Sequence, residues 1–410
     1  KQLTEDGMEH FGYATNNAGW IKSDEPVVLW SPDSKSIATF QQDARKVKDM
    51  YLVTTNVGHP SLEEWKYTLP GDEHIFEIHR VIIHTDPVKV VRLKVDPDPQ
   101  RSTITDHIAN WEGELLDAQW NEDGSKLAFV STSRDYKTVS FRIADTQTGE
   151  VEEIFTEKTN TFFESGFSEP NWKVLFDRNE LLWFSQQSNW GHLYRYDLSN
   201  KEYKGAITEG NWNMKRIVKI DREKDLIYFI GSCRESGNPY HEYFYKISMD
   251  GTGLKCLTPE SGDHQISLSP NEEYFADSYS SVEKPAVTVI RDMGGNILNQ
   301  VAQEDISRLL EEGWKSPELI KAKARDGKTN LYGIMYKPTH FDPEKSYPII
   351  NQIYPGPQSG SVRDFGFHAV SSRQALAELG FVVVSINGMG TPGRSKSFQD
   401  AYYGNMGDNT

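Results

Sequence analysis

The sequence predicts a mainly β protein, with a β-propeller over residues 1–315 and the start of an α/β domain over residues 316–410. Three observations support this prediction. Short strands and turns recur at about 40 to 50 residues, which is the period of a four-stranded propeller blade. Aromatic residues make up 12% of the chain, as is common in sheet proteins. Two continuous apolar runs near the end are typical of buried parallel strands.

Two kinds of turn mark the predicted blades. The first places an aromatic or apolar residue before a polar turn and a strand, as in residues 30–34 (Trp-Ser-Pro-Asp-Ser) and 120–124 (Trp-Asn-Glu-Asp-Gly). The second is an aspartate-led hairpin at intervals of 52, 53 and 42 residues, at Asp145, Asp197, Asp250 and Asp292. Because both turns punctuate short strands, about six blades can be counted.

The last hundred residues change to an α/β pattern. Residues 348–353 form an apolar run that ends in Tyr-Pro-Gly-Pro, and residues 380–390 contain a second run closed by glycines. Residues 367–379 between them predict a helix with Gly380 at its C′ position. The pattern therefore predicts a right-handed βαβ unit with parallel strands.

A predicted hairpin precedes this unit. Residues 318–324 and 331–337 form two strands around the Asp326-Gly327 turn. Because they lead into the α/β sheet, we place the domain boundary near Ser316.

Composition and charge exclude several classes of partner. Lys and Arg number 44 against 60 Asp and Glu, a net charge of −16 without any basic block, which argues against nucleic acid as a partner. No apolar run approaches the roughly 20 residues of a membrane helix, so no membrane span is expected. His74, His79 and His84 are spaced by five residues, which fits neither a helical nor a strand ligand set, so neither a metal nor a cofactor is expected.

At residues 346–357 (Ser-Tyr-Pro-Ile-Ile-Asn-Gln-Ile-Tyr-Pro-Gly-Pro) the chain resembles the start of the α/β-hydrolase domain of the prolyl oligopeptidase family. Within that family it is most similar to the dipeptidyl peptidase IV branch, whose blades residues 190–197 and 257–262 also resemble. The resemblance implies that the Tyr354 hydroxyl helps to form an oxyanion hole, where a fixed donor stabilises charge on a carbonyl oxygen. The alternative is a turn tyrosine packed against a domain interface.

The nucleophile motif of this fold, G-x-S-x-G, is absent from the 410 residues. The resemblance places all three triad residues beyond Thr410 and implies an eight-bladed propeller, of which about six blades are counted. We therefore expect that the chain is truncated both at its start and before the nucleophile. On that expectation the 410-residue chain alone is inactive.

The substrate-binding acids of the branch are not seen at their usual place. The resemblance implies two consecutive glutamates about ten residues before Trp30, where this chain has Gly19 and Trp20. Asp24 and Glu25 lie nearby and could bind a substrate ammonium, because such a group needs a compensating charge when it leaves water. The alternative is a solvated loop pair, so both dipeptidyl and tripeptidyl release stay open.

A second departure from the family pattern follows the second apolar run. Residues 387–391 are Asn-Gly-Met-Gly-Thr, where close relatives often have Asp-Gly-Arg-Gly-Ser. The glycines of the turn are kept and the arginine is lost. A local salt bridge is therefore predicted to be absent.

Together these observations predict a serine-type exopeptidase that releases short N-terminal peptides after proline, of which this chain is a part without the catalytic triad. The alternative is a non-catalytic propeller that binds peptides or proteins. Tyr354 favours the enzyme, because a binding module needs no oxyanion donor. The resemblance implies short peptide substrates and a periplasmic or secreted location, and it allows a homodimer.

Overall fold

The computed structural model describes residues 1–15, 25–99, 114–164, 171–354, 356, 359–405 and 407. These residues fold as two compact units. The first unit comprises residues 1–183 and 195–205, and the second comprises residues 184–194 and 206–410. Strands predominate throughout, so the predicted mainly β class is confirmed. Among the described residues, none of the helices has the length and apolar character to cross a membrane.

The first sheet has six strands, and a separate two-stranded ribbon is inserted between two of them in the chain. Its elements are β1 (Phe11–Tyr13), β2 (Leu29–Trp30), β3 (Ser36–Asp43), the ribbon β4 (Asp49–Thr54) and β5 (Ser61–Lys66), then β6 (Glu77–Thr85), β7 (Val88–Arg92) and β8 (Asp98–Pro99). The sheet order is β1-β3-β6-β7, with β2 paired to β3 and β8 paired to β6. The apolar faces of β3 and β6 form a core with the next sheet, in which Phe40, Ile82 and Phe129 are buried.

Four antiparallel sheets of four strands follow, each with its strands in chain order. The second sheet contains β9 (Ala118–Trp120), β10 (Lys126–Thr132), β11 (Thr138–Asp145) and β12 (Val151–Lys158), and the third contains β13 (Trp172–Leu175), β14 (Glu180–Ser185), β15 (His192–Asp197) and β16 (Tyr203–Ala206). The fourth contains β17 (Asn213–Asp221), β18 (Leu226–Ser232), β19 (Glu242–Ser248) and β20 (Lys255–Cys256), and the fifth contains β21 (Asp263–Leu268), β22 (Tyr274–Ser281), β23 (Lys284–Asp292) and β24 (Ile297–Gln303). A short 3₁₀ helix (Phe176–Arg178) joins β13 to β14. This succession is the predicted blade architecture of a β-propeller.

The aspartate-led turns lie where the sequence places them, between the third and fourth strands of these sheets. Asp145 Oδ1 accepts hydrogen bonds from the backbone N–H groups of Gln147, at 3.0 Å, and Thr148, at 2.8 Å. These backbone donors, together with the Thr148 hydroxyl, lower the pKa of the Asp145 carboxyl. Asp292 makes the same kind of turn with Gly294. An aspartate is suited to this position because its side chain can replace a backbone acceptor.

The last part of the chain contains a mixed sheet, whose first strand begins just after Ser316. The domain boundary near Ser316 stays a prediction. The elements of this last part are α1 (Ser307–Glu311), β25 (Glu318–Lys323), β26 (Asn330–Tyr336), β27 (Ile349–Asn351), α2 (Ser372–Glu378), β28 (Val382–Asn387) and α3 (Lys396–Gln399). The strand order is β25-β26-β28-β27, in which only the β27–β28 pair is parallel among the described strands. The predicted hairpin and the parallel βαβ unit are both confirmed.

Helix α2 is shorter than the sequence predicts. It begins after Ser371, whose hydroxyl accepts a hydrogen bond from the Gln374 N–H at 3.1 Å, rather than at Phe367. The hydroxyl satisfies one of the amides that a helix start leaves open, which fixes the start there. The helix ends at Glu378 with Leu379 as its C-cap, and Gly380 has φ 98°, the positive φ predicted for the C′ glycine. Ala377 of the helix packs on Ile334 and Val383 of the sheet.

Candidate functional site

The carboxyl ends of β27 and β28 meet at one edge of the mixed sheet. Ile349 pairs with Val382 and Asn351 pairs with Val384 in parallel register. The chain therefore leaves both strands on the same side, through the segments that contain Tyr354 and Asn387. In open α/β sheets, ligands bind outside the carboxyl ends of the strands. This edge is the candidate site.

Tyr354 lies three residues beyond β27, with 62% of its surface exposed. Its backbone N–H donates to Ser361 Oγ at 3.1 Å, and the Arg363 guanidinium lies over its ring, 5.4 Å from the centroid. Among the described residues, none forms a hydrogen bond with the Tyr354 hydroxyl. The backbone is therefore anchored, whereas no described residue uses the hydroxyl as a donor or acceptor. The predicted oxyanion role stays a prediction.

Polar side chains of β28 and α2 hold the segment that surrounds Tyr354. The Ser385 hydroxyl, which is fully buried, donates to the Gln352 carbonyl oxygen at 2.7 Å and accepts from Arg373 Nε at 3.2 Å. Arg373 Nη2 donates to the Ser361 carbonyl oxygen at 2.9 Å. Gln352 at one end of the segment therefore binds Ser385 directly, and Ser361 at the other end is connected to Ser385 through Arg373. Sequence reasoning missed these residues, although Ser385 is a polar interruption in an apolar strand.

The predicted substrate-binding pair is only partly described. Asp24 lies outside the described residues. Glu25 is exposed, in the segment before β2 in the first unit. Their binding role stays a prediction.

In the described part of the chain, one set of three ligand-type side chains comes together, at Asp43, Glu77 and His79, with ligand atoms within 4.8 Å of one another. Antiparallel pairing sets Asp43 of β3 directly opposite Glu77 of β6. The sequence offered only the spacing of three histidines and did not indicate these carboxylates. Arg45 donates from Nε at 3.0 Å and from Nη2 at 2.6 Å to the Asp43 carboxylate. Because Arg45 already compensates this charge, the set is an ion-paired surface cluster, and the expectation of no metal stays a prediction.

The second unit also buries two titratable groups, Asp263 and His241. Burial, and after it the neighbouring Glu242 carboxylate, raises the pKa of Asp263 to about 7. The Asp263 Oδ1 accepts the Glu242 N–H at 2.8 Å, and the Glu242 carboxylate also forms an ion pair with Lys215. Burial lowers the pKa of His241 to about 4, so this imidazole is neutral at pH 7.

The successive four-stranded blades and the mixed sheet with its tyrosine turn define a propeller-bearing member of the α/β-hydrolase class. The model of the dipeptidyl peptidase IV (DPP IV) N-terminal region matches residues 1–286, and that of the prolyl oligopeptidase family matches residues 367–410. The chain therefore belongs to the dipeptidyl peptidase IV-like branch of the prolyl oligopeptidase family of serine peptidases. This confirms the family that the sequence resembles.

Curated relatives carry dipeptidyl-aminopeptidase names. The chain is 26% identical over 431 residues to the probable dipeptidyl-aminopeptidase B of Neosartorya fischeri. It is 25% identical over 432 residues to the dipeptidyl-aminopeptidase B of Aspergillus niger. Each alignment covers 99% of this chain and 46% of the relative. The chain thus spans about half the length of the curated relatives it matches.

Solved structures confirm the fold. A putative dipeptidyl aminopeptidase IV from Bacteroides ovatus matches with a TM-score of 0.77 and 20% identity, over 98% of this chain and 57% of that chain. Dipeptidyl peptidase 4 from Porphyromonas gingivalis matches with a TM-score of 0.78 and 19% identity, over 98% and 55%. At these identities the likeness shows the fold alone.

Proposed function

We propose that the protein containing this chain is a serine-type exopeptidase that releases short peptides from the amino terminus of its substrates, with cleavage after proline. The observation that carries the proposal is the Tyr354 hydroxyl, which has no hydrogen-bond partner among the described residues at the carboxyl edge of β27. Family membership and the aminopeptidase names of the relatives support it. The size of the released peptide, two or three residues, is open in this proposal.

In the proposed reaction a serine hydroxyl attacks the scissile carbonyl and passes its proton to a histidine. The C=O π electrons move onto the oxygen, and the Tyr354 O–H donates a hydrogen bond to this oxyanion. Collapse of the intermediate expels the amine, which takes the proton from the histidine, and water then hydrolyses the acyl-enzyme. Because G-x-S-x-G is absent from these residues, the proposal assigns the triad to another part of the protein and makes the 410-residue chain alone inactive.

Substrate selection is the second part of the proposal. A free amino terminus carries a positive charge that must be compensated when it leaves water, and Asp24 and Glu25 are the candidate acids. A periplasmic or secreted location and a homodimer belong to the proposal as well, on the resemblance alone.

The test uses the full-length protein, a fluorophosphonate probe and a panel of free and N-blocked Xaa-Pro substrates. We expect one covalent adduct and hydrolysis of the free substrates only. Tyr354→Phe should lower kcat by about 10² to 10³, with KM little changed, because the hydroxyl acts on charge that develops in the transition state. Tyr274→Phe, at another exposed tyrosine in β22, is the matched control and should leave kcat unchanged. A full-length protein with neither adduct nor hydrolysis would refute the enzyme and favour a binding propeller.

A further inference from the structure

The last residue of β28, Asn387, binds a single residue of the segment that follows Tyr354. Asn387 Oδ1 accepts the Val362 N–H at 2.8 Å, and Asn387 Nδ2 donates to the Val362 carbonyl oxygen at 2.8 Å. Asn387 is 2% exposed, so both bonds are shielded from water. The Asn387 side-chain amide therefore bonds both the N–H and the carbonyl oxygen of Val362, as the backbone of a neighbouring strand does in a sheet.

The backbone approaches this amide closely on a second side. A Cβ added to Gly360 would lie 2.7 Å from Asn387 Oδ1 and 3.0 Å from its Cγ, which is too close for any side chain. Because Asn387 is itself buried, it has little room to give way. Glycine at this position lets the segment lie against the amide.

Asn387 is connected to Tyr354 through two adjacent residues. Val362 follows Ser361, whose hydroxyl accepts the Tyr354 N–H at 3.1 Å. Arg363 follows Val362 and places its guanidinium over the Tyr354 ring. A displacement of Val362 therefore moves both groups that contact Tyr354.

An uncharged amide complements the backbone groups of Val362. Val362 offers one donor and one acceptor, and an asparagine side chain complements both. An ionised aspartate at this position could accept the N–H but would set a carboxylate oxygen against the Val362 carbonyl oxygen. Met389, two residues further on, packs beside the apolar cluster of Ala324, Leu331 and Phe398, so the turn after Asn387 is also held by apolar contacts.

We propose that Asn387 is a positioning residue for the oxyanion donor: its amide clamps Val362 and so holds the Tyr354 hydroxyl at the carboxyl edge of the sheet. This inference rests on the proposed function of Tyr354. Because the clamp is uncharged, it holds the segment equally across the pH range in which the enzyme works.

The test combines Asn387→Asp with Tyr354→Phe in the full-length protein, at a temperature where all variants are folded. We expect N387D to lower kcat about tenfold at pH 8 with KM unchanged. The ratio to the wild-type kcat should rise as pH falls, because a protonated carboxyl can again donate to the Val362 oxygen. In the Tyr354→Phe background N387D should lower kcat less than twofold, because the effects of two substitutions that act through the same hydroxyl are not additive. Asn299→Asp, on the exposed strand β24, is the matched control and should leave kcat and its pH dependence unchanged.

Two kinetic results would overturn the clamp: wild-type kcat in N387D at pH 8, or an equal loss in both backgrounds. Hydrogen exchange of residues 354–363 at pH 8 gives a readout independent of catalysis, and N387D should accelerate it while N299D should not. Unchanged exchange would also overturn the clamp. A wild-type protein with neither probe adduct nor hydrolysis would refute the proposed function, whereas the exchange result would still decide whether Asn387 holds the segment.

Discussion

Substitution of Arg80 by methionine should destabilise the first unit strongly. Arg80, on β6, donates from Nε to Asp98 at 2.7 Å, from Nη1 to Asp117 at 3.0 Å and from Nη2 to the Val130 carbonyl oxygen at 3.0 Å. The three charged side chains are only 4 to 8% exposed. The guanidinium also lies over the Phe129 ring, 4.8 Å from the centroid. Methionine keeps the apolar stem and removes the charge.

The expected loss in the free energy of unfolding follows from the two buried carboxylates that remain without a cation. Removing one partner from a buried ion pair costs about 3 to 5 kcal/mol, mainly because the remaining charge has no compensation. Here two carboxylates, Asp98 and Asp117, lose the same cation, and the cation–π contact with Phe129 adds about 0.5 to 2 kcal/mol. We therefore expect a loss near the upper end of the range, about 5 kcal/mol, in the free energy of unfolding.

Urea denaturation of the full-length protein measures this cost from the shift of the midpoint at an unchanged slope. Arg142→Met is the matched control: Arg142 pairs with Glu153 at 3.1 Å, but the glutamate side chain is 49% exposed, so its loss should cost less than about 1 kcal/mol. The triple variant Arg80→Met, Asp98→Asn, Asp117→Asn leaves no buried charge uncompensated and should recover most of the loss. An Arg80→Met variant as stable as the Arg142→Met control would refute this reasoning.

Two further predictions concern the second unit. The pKa of Asp263 is raised to about 7 in the folded protein. Between about pH 4 and about pH 7 the folded protein therefore holds a proton that the unfolded chain has released. The contribution of Asp263 to the free energy of unfolding consequently falls as pH rises through this range. Asp263→Asn should therefore raise Tm increasingly from pH 4 to pH 8, and a pH-independent difference in thermal melts would contradict this. Gly333→Ala should cost more than about 3 kcal/mol, since its Cβ would lie 2.3 Å from the Ser385 carbonyl oxygen across the β26–β28 pair. A melting temperature within a few degrees of wild type would show that the strands separate without penalty.

Features that depend on a few neighbouring residues were determined by the sequence. The turn at Asp145 follows from an aspartate that accepts the N–H groups just after it, and the end of α2 follows from Gly380 at positive φ. The parallel pair of β27 and β28 follows from two continuous apolar runs around a helix, because only burial on both faces suits them. Tyr354 was found because its turn is a local motif. The predicted start of α2 at Phe367 was wrong, because the helix starts at the Ser371 N-cap, which is itself a local feature.

Only the tertiary structure decided which distant side chains meet. Arg80 reaches Asp98 and Asp117 because strand pairing brings residues from three separate stretches to one buried point. Asn387 meets Val362 because the segment after β27 folds back over the end of β28, a contact that neither residue type nor spacing indicates. Register and loop path depend on the sum of many weak contacts along whole strands, so single residues carry little of that information. The sequence thus determined the blades, the turns and the catalytic candidate, whereas the fold determined the groups that hold it.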